Sequence, residues 1–162
     1  RERRSGTPNV AGIVGFATAL KIIDAERAAT TERVARLRDR LLTGLMHSVP
    51  GLSPTISAIH GKPPHGDSEP TVVSGSCHVC IEGVDSESLL LLLEMGGVMA
   101  SAGSSCASGA QEESHVLVAM GVSEELARGA LRLSLGTDTT DADVDLVLEV
   151  LPKAVERVKA FG

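Results

Sequence analysis

The segment GALRLSLG, residues 129–136, decides the fold. Leu131, Leu133 and Leu135 alternate with smaller or polar residues, which is the period of a β-strand that buries one face. The three leucines therefore belong to the core. The opposite face carries Ala130, Arg132 and Ser134. An arginine is thus expected on the outer face of a sheet, among small neighbours.

Outward from this strand, the chain alternates between helical and extended patterns. The predicted elements are a helix over about 9–47, strands over 52–59 and 72–82, a leucine-rich helix between Asp85 and Gly96, a short strand over 97–101, a helix after Ser108 that ends at Gly121, and a closing amphipathic helix over 139–162 with Pro152 inside it. The predicted fold class is α/β (an α+β small domain), in which a long connecting helix is followed by a small sheet that helices cover on one face.

Composition excludes several classes of function. The 162 residues carry a formal charge of -6 and contain only two phenylalanines and no other aromatic residue, so neither a nucleic-acid surface nor a membrane surface is expected. Three cysteines make no disulfide framework, and we find neither a signal peptide nor a membrane-spanning run, so a cytoplasmic location is predicted. The sequence opens at Arg1 without methionine, and we expect it to begin partway along a longer protein.

The motif CHVC, residues 77–80, has the spacing of zinc and redox sites. In a strand, however, Cys77 and Cys80 point to opposite faces and cannot share one metal ion. We therefore favour a structural interpretation, with Cys77 in the core and Cys80 on the face of His78. The remaining histidines considered, which are expected to be solvated, are His60, His65 and His115.

Cys106 lies in ASAGSSCASGAQEES, residues 100–114, a stretch without bulky apolar residues around the thiol. Unpaired cysteine is usually buried, whereas this thiol has no apolar wall and its Gly/Ser backbone is little restrained. The pattern favours an accessible, mobile nucleophile or carrier over an incidental surface cysteine.

Two further residues have both a functional and a structural interpretation. Arg132 suits bidentate binding of a carboxylate, although a solvated arginine fits the same position. Thr7 precedes Pro8 as an N-cap would, and with Gly6 and Arg4 nearby it also suits an anion site at the start of a helix.

Three segments together resemble the C-terminal part of the NifS/IscS-type cysteine desulfurases, which are class V, fold-type I enzymes dependent on pyridoxal phosphate. They are RSGTPNVAGIVGF (4–16), AGSSCASG (102–109) and LRLSLGTDTTDADVD (131–145). The resemblance implies a cofactor-phosphate segment and connecting helix over 1–50, followed by a C-terminal small domain over 51–162 that carries the cysteine loop.

The resemblance also implies roles for the three candidate residues. Cys106 matches the catalytic cysteine that takes sulfur from L-cysteine as a persulfide and leaves alanine. Arg132 matches the arginine that binds the substrate carboxylate, and Thr7 matches the threonine that reaches the cofactor phosphate of the other subunit. No resident metal is implied, only a transient contact of Cys106 with an iron–sulfur cluster.

The implied partners are the N-terminal part of the same enzyme, a second copy in a homodimer, and a sulfur-acceptor protein for iron–sulfur cluster or thio-modification pathways.

The family's Schiff-base lysine lies upstream of the segment that matches RSGT, so this chain alone is expected to be inactive. Two departures from the family pattern, which leave the thiol in place, are the AGSSC form of the loop and Glu113 at a position often held by proline.

Two other hypotheses stay open at this point. One is a non-enzymatic carrier of sulfur or metal that uses Cys106, and the other is a regulatory or scaffold fragment. A carboxylate-binding arginine beside the thiol favours the enzyme, because a carrier has no need of it.

Overall fold

The computed structural model describes residues 6–55, 72–102 and 114–161. Its elements are α1 (Val10–Ser48), β1 (Leu52–Pro54), β2 (Ser76–Ile81), α2 (Ser86–Met95), β3 (Ser101–Ala102), α3 (His115–Ala119), α4 (Glu124–Arg128), β4 (Ala130–Ser134) and α5 (Asp141–Phe161). This order confirms the predicted alternation of helices and strands, except that two helices, α3 and α4, stand where one was predicted. Among the described helices, none has the length and apolar character needed to cross a bilayer.

The four described strands form one sheet in the order β1-β2-β4-β3, and all neighbours are antiparallel. The predicted α/β class with a small sheet is therefore confirmed. In the register of β2 and β4, His78 lies opposite Arg132, and on the other side of β4 Ser101 lies opposite Arg132. Arg132 is thus the middle residue of a row across three strands.

The leucine face of β4 lies in the main core, as the alternation predicts. The buried residues of this core include Leu37, Leu41 and Leu45 of α1, Cys77, Val79 and Ile81 of β2, Leu89 and Leu93 of α2, Leu131 and Leu133 of β4, and Val144, Leu151 and Val155 of α5. Helices α1, α2 and α5 therefore cover one face of the sheet. Their aliphatic side chains supply the hydrophobic stabilisation to which aromatic residues contribute in many other proteins.

The prediction that helices cover one face only is wrong at one end of the sheet. A second buried cluster on the other face joins Cys80, Leu117, Val122, Ala127 and Ala130. It places α3 and α4 over the end of β2 and the start of β4. Helix α4 has only five residues and so shows no helical repeat in the sequence, although Ser123 caps it by accepting a hydrogen bond from the Leu126 N–H at 3.4 Å.

Helix α1 has 39 residues and two different halves. Val34, Leu37, Leu41 and Leu45 recur at helical spacing and are buried, whereas the apolar side chains of the first half are exposed, Phe16 to 68%. The second half therefore belongs to the same core as the sheet. The predicted division of the chain into a segment over 1–50 and a small domain over 51–162 stays a prediction.

The start of α1 differs from the prediction. Asn9, not Thr7, is the N-cap, because its side-chain oxygen accepts a hydrogen bond from the Gly12 N–H at 3.0 Å. Thr7 lies two residues before the cap and is exposed. An amide side chain at the residue next to the helix outcompetes the more distant hydroxyl.

Other boundaries differ by a few residues. The left-handed glycine after α2 is Gly97, with φ of 80°, rather than Gly96. Strand β2 is shorter than the predicted 72–82, and β3 begins at Ser101 rather than at 97. Within the leucine-rich run, Leu91 is exposed, because only one side of α2 faces the core. Ser108, after which a helix is predicted to begin, and residues 56–59 of the first predicted strand lie outside the described residues.

A close backbone approach at Gly129 gives a test of the packing. Its carbonyl accepts a hydrogen bond from the Ile81 N–H at 2.9 Å, and a Cβ at position 129 would collide with the carbonyl oxygen of Ile81. We expect Gly129→Ala to lower the free energy of unfolding by about 1–3 kcal/mol, measured by urea unfolding. Gly15→Ala is the control, because no atom lies within 4 Å of its Cβ position and alanine favours helix. Equal effects of the two substitutions would contradict this packing.

Candidate functional site

A cavity of about 580 Å³ has Arg132 and residues of both faces of the sheet in its lining. Residues of α1, the ends of β1 and β2, α3 and β4 form its walls. The polar residues in these walls are Arg38, Asp39, Thr55, Ser76, His78, Ser114 and Arg132. The cavity is otherwise lined mainly by aliphatic side chains such as Leu42 and Met120, as is usual for small-molecule sites.

Arg132 is an exposed arginine that reaches this cavity from β4. Among residues 6–55, 72–102 and 114–161, no carboxylate lies within ion-pair distance of its guanidinium. Asp39 lines the same cavity, but it is already paired with Arg38 at 2.7 Å. The guanidinium of Arg132 can therefore bind the carboxylate of a ligand through two parallel hydrogen bonds.

Other arginines of the chain are engaged in structural contacts. Arg36 and Arg40 of α1 both bind Asp141 at the start of α5, at 3.3 and 3.4 Å. The hydrogen bond from Arg36 holds the pKa of Asp141 below its usual value. These ion pairs join α1 to α5. Arg36 and Arg40 therefore differ from Arg132, whose guanidinium has no acidic partner among the described residues.

A histidine stands beside Arg132 in the cavity. His78 lies opposite Arg132 in the register, and Oγ1 of Thr55 lies 2.5 Å from its Nδ1. Burial lowers the pKa of His78, and the charge of Arg132 lowers it further. The ring is therefore neutral at pH 7. Sequence reasoning placed His78 on the face of Cys80, but it did not identify His78 or Thr55 as site residues, because only the strand register places them beside Arg132.

The two cysteines of CHVC lie on opposite faces of the sheet, as the strand alternation predicts. Cys77 is buried in the main core and Cys80 in the second cluster. Within the part of the chain that the structure describes, no group of three His, Cys, Asp or Glu side chains could hold a metal ion. Burial raises the pKa of the Cys77 thiol to about 11, and it also raises the pKa of Cys80.

This burial predicts which thiol reacts in the folded protein. At about pH 8, Cys77 and Cys80 stay protonated because their pKa values are raised, and thiols react as thiolates. We expect a maleimide to label Cys106 alone in the folded protein and all three cysteines in urea, as read by mass spectrometry. Rapid labelling of Cys77 in the folded protein would contradict its position in the core.

Cys106 lies outside the described residues, as do His60 and His65. The residues that flank its segment are described. Ala102, at the end of β3, pairs with Leu131 of β4, and Ser114 lines the cavity. Both attachment points of segment 103–113 therefore border the region of Arg132. His115 is exposed at the start of α3, as predicted.

Thr7 is described but does not line the cavity. It is exposed, it follows Gly6 with φ of 89°, and its hydroxyl has no hydrogen-bond partner among the described residues. An exposed hydroxyl just before a long helix fits one contact to the phosphate of the implied cofactor, pyridoxal phosphate. The structure thus does not bring Thr7 and Arg132 together within one chain.

None of the lysines within the described ranges lines the cavity. Lys153 pairs with Glu149 at 2.8 Å, Lys159 donates to the carbonyl of Pro50 at 3.2 Å, and Lys21 lies on the exposed half of α1. The described residues therefore fit a substrate carboxylate and a phosphate contact, and they provide no amine for the cofactor aldehyde.

Comparisons with known proteins agree on one family. Residues 1–147 match the family described as aminotransferase class-V. The chain is similar to an IscS-like cysteine desulfurase of Mycobacterium tuberculosis, with 41% identity over 98% of this chain and 38% of that protein. It is 42% identical to a cysteine desulfurase IscS of Methanosarcina thermophila, over 98% of this chain and 36% of that protein.

A solved structure gives the same result for the fold. The chain superimposes on a NifS-like protein with a TM-score of 0.72 and 29% identity, over 95% of this chain and 36% of that one. The chain spans less than two fifths of the length of the relatives it matches.

Proposed function

Because the chain belongs to the class-V aminotransferase family, we propose that it is the substrate- and sulfur-handling part of a pyridoxal-phosphate-dependent cysteine desulfurase. The observation that carries the proposal is Arg132, an arginine without an acidic partner among the described residues. It lies in a cavity lined by Ser114, the residue after the segment of Cys106, while Ala102, the residue before that segment, pairs with Leu131 next to Arg132. The relatives that are about 40% identical are named cysteine desulfurases, which supports it.

Arg132 binds the carboxylate of L-cysteine in this proposal. A guanidinium holds both carboxylate oxygens, so it fixes the orientation of the amino acid as well as its position. Because β4 is the central partner of β2 and β3, the Cα of Arg132 is held on both sides by strand pairing. Rigid support of this kind keeps the reacting atoms of the substrate in place.

Cys106 accepts the sulfur atom. In the net reaction, L-cysteine and the Cys106 thiol give L-alanine and a Cys106 persulfide, so one C–S bond breaks and one S–S bond forms. Pyridoxal phosphate, when bound, supplies the electron sink that this cleavage requires. Thr7 contributes a contact to its phosphate from the other subunit of a homodimer.

The first half of α1 carries an exposed row of apolar side chains, which include Val10, Ile13, Phe16, Leu20 and Ile23. Exposed apolar surface of this extent is unusual on a free surface and typical of an interface. We propose that, within residues 1–50, the first half of this helix packs against the N-terminal part of the enzyme, while its second half packs on the small domain of residues 51–162. A cytoplasmic sulfur-acceptor protein for iron–sulfur clusters or thio-modification completes the proposed partners.

The alternative is a carrier domain that holds sulfur on Cys106 without catalysis. Arg132 disfavours it, since a carrier needs no carboxylate site. The test is the product balance of the complete, cofactor-loaded enzyme with L-cysteine and a reductant. Alanine and sulfide in equal amounts support the desulfurase, whereas absence of alanine with a correctly folded, loaded enzyme would exclude it.

A further inference from the structure

A second polar side chain faces the cavity directly beside Arg132. His78 and Arg132 are opposite residues in the antiparallel pair of β2 and β4, so their side chains project from the same face. In such pairs the Cβ atoms are roughly 5 Å apart. Both residues line the cavity, and a ligand group bound by Arg132 therefore lies within reach of the His78 ring.

Thr55 fixes the ring of His78. Its Oγ1 lies 2.5 Å from Nδ1 of His78 and 3.4 Å from Sγ of Cys80. Thr55 is only 6% exposed and Cys80 is fully buried, so the contact between these two groups is shielded from water, whereas the His78 ring faces the cavity. Because Nδ1 is occupied by Thr55, Nε2 is the ring nitrogen that remains for a ligand.

The same chain of groups, from Cys80 through Thr55 to His78, can hold the ring proton on Nε2. Burial raises the pKa of the Cys80 thiol, so its S–H persists and can donate to Oγ1 of Thr55. The Thr55 hydroxyl can then donate to Nδ1 of His78. A neutral imidazole that accepts at Nδ1 carries its proton on Nε2 and is a donor there.

We propose that His78 is a second substrate-binding residue, whose Nε2–H donates a hydrogen bond to the carboxylate that Arg132 binds. The inference rests on the proposed function, in which this carboxylate belongs to an amino acid. A neutral donor of fixed direction beside the guanidinium restricts rotation of the carboxylate. His78 therefore helps to orient the substrate, and it does so without adding a second positive charge.

The test is ligand binding by the complete, cofactor-loaded enzyme, followed by the absorbance of the cofactor. The two probes are L-alanine, which carries the carboxylate and has no sulfur to lose, and ethylamine, which lacks the carboxylate. We expect His78→Ala to raise the Kd for L-alanine about tenfold, the loss typical of a hydrogen bond to a charged group, and to leave the Kd for ethylamine unchanged.

Two variants separate the hydrogen bond from general damage. His78→Gln offers an amide N–H near the position of Nε2 and should restore most of the affinity for L-alanine. Thr55→Val keeps the shape of the side chain but releases Nδ1, and should weaken L-alanine binding while His78 is still present. His47→Ala is the matched control, because His47 is exposed on α1 and does not line the cavity, and its Nδ1 contacts the Thr43 carbonyl at 2.7 Å.

Arg132→Ala distinguishes the failure of this inference from the failure of the proposed function. If Arg132→Ala weakens L-alanine binding while His78→Ala and Thr55→Val do not, the role of His78 is wrong and the proposed function stands. An equal loss for L-alanine and ethylamine in His78→Ala would also overturn the role. If neither Arg132→Ala nor His78→Ala affects L-alanine, both proposals fail. If His78→Ala does not fold, the Kd values of His78→Gln and Thr55→Val for L-alanine and ethylamine are compared in the same way.

Discussion

Arg132→Ala is expected to lower kcat/KM for L-cysteine by about 30-fold or more in the complete enzyme, because losing one partner of a hydrogen-bonded charge pair costs roughly 2–5 kcal/mol. Most of the loss should appear as a higher KM, since the carboxylate is bound before and during the reaction. Steady-state assays of alanine formation measure both constants. Arg132→Lys should recover only part of the loss, because an ammonium cannot bind both carboxylate oxygens in one plane.

Arg157→Ala is the control for removal of a positive charge. Arg157 is exposed on α5 and does not line the cavity, so its loss should leave both constants unchanged. If Arg132→Ala kept the KM of the wild-type enzyme, the cavity would not be the carboxylate site. The carrier hypothesis would then regain its support.

Cys106→Ser is expected to reduce sulfide release from L-cysteine by at least about 1,000-fold, because a hydroxyl cannot take up a sulfur atom as a persulfide. The absorption of the bound cofactor should persist, since Cys106 has no part in holding it. Release of sulfide in the presence of a reductant gives the rate, and the visible spectrum gives cofactor occupancy.

Cys77→Ala is the matched cysteine variant. Cys77 is buried in the core, so its loss should affect stability more than turnover per folded enzyme. Sulfide release that survived Cys106→Ser but failed in Cys77→Ala would reverse the roles of the two thiols.

The parts of the fold that follow from local periodicity were predictable. The alternation at Leu131 and Leu133 defines the buried face of β4, and it therefore also places Arg132 on the other face. The spacing of Leu37, Leu41 and Leu45 likewise predicts the packed half of α1. In each case a single repeat, read from consecutive residues, determines which side chains are buried.

The parts that depend on tertiary contacts were not predictable. Thr7 and Asn9 are both good caps, and only the geometry at the Gly12 amide selects Asn9. The pairing of His78 with Arg132 depends on strand register, because a shift by one residue would move His78 to the other face. The shared contact of Thr55 with His78 and Cys80 joins β2 to the residue after β1, which no local pattern indicates.

The most direct test of the central claim is the position of the transferred sulfur. The complete enzyme is mixed with L-cysteine labelled at sulfur, alkylated, digested and analysed by mass spectrometry. We expect one additional labelled sulfur on the peptide that contains Cys106, and none on the peptides of Cys77 and Cys80. Labelled sulfur on Cys77 or Cys80, or formation of alanine with no labelled sulfur on Cys106, would contradict it.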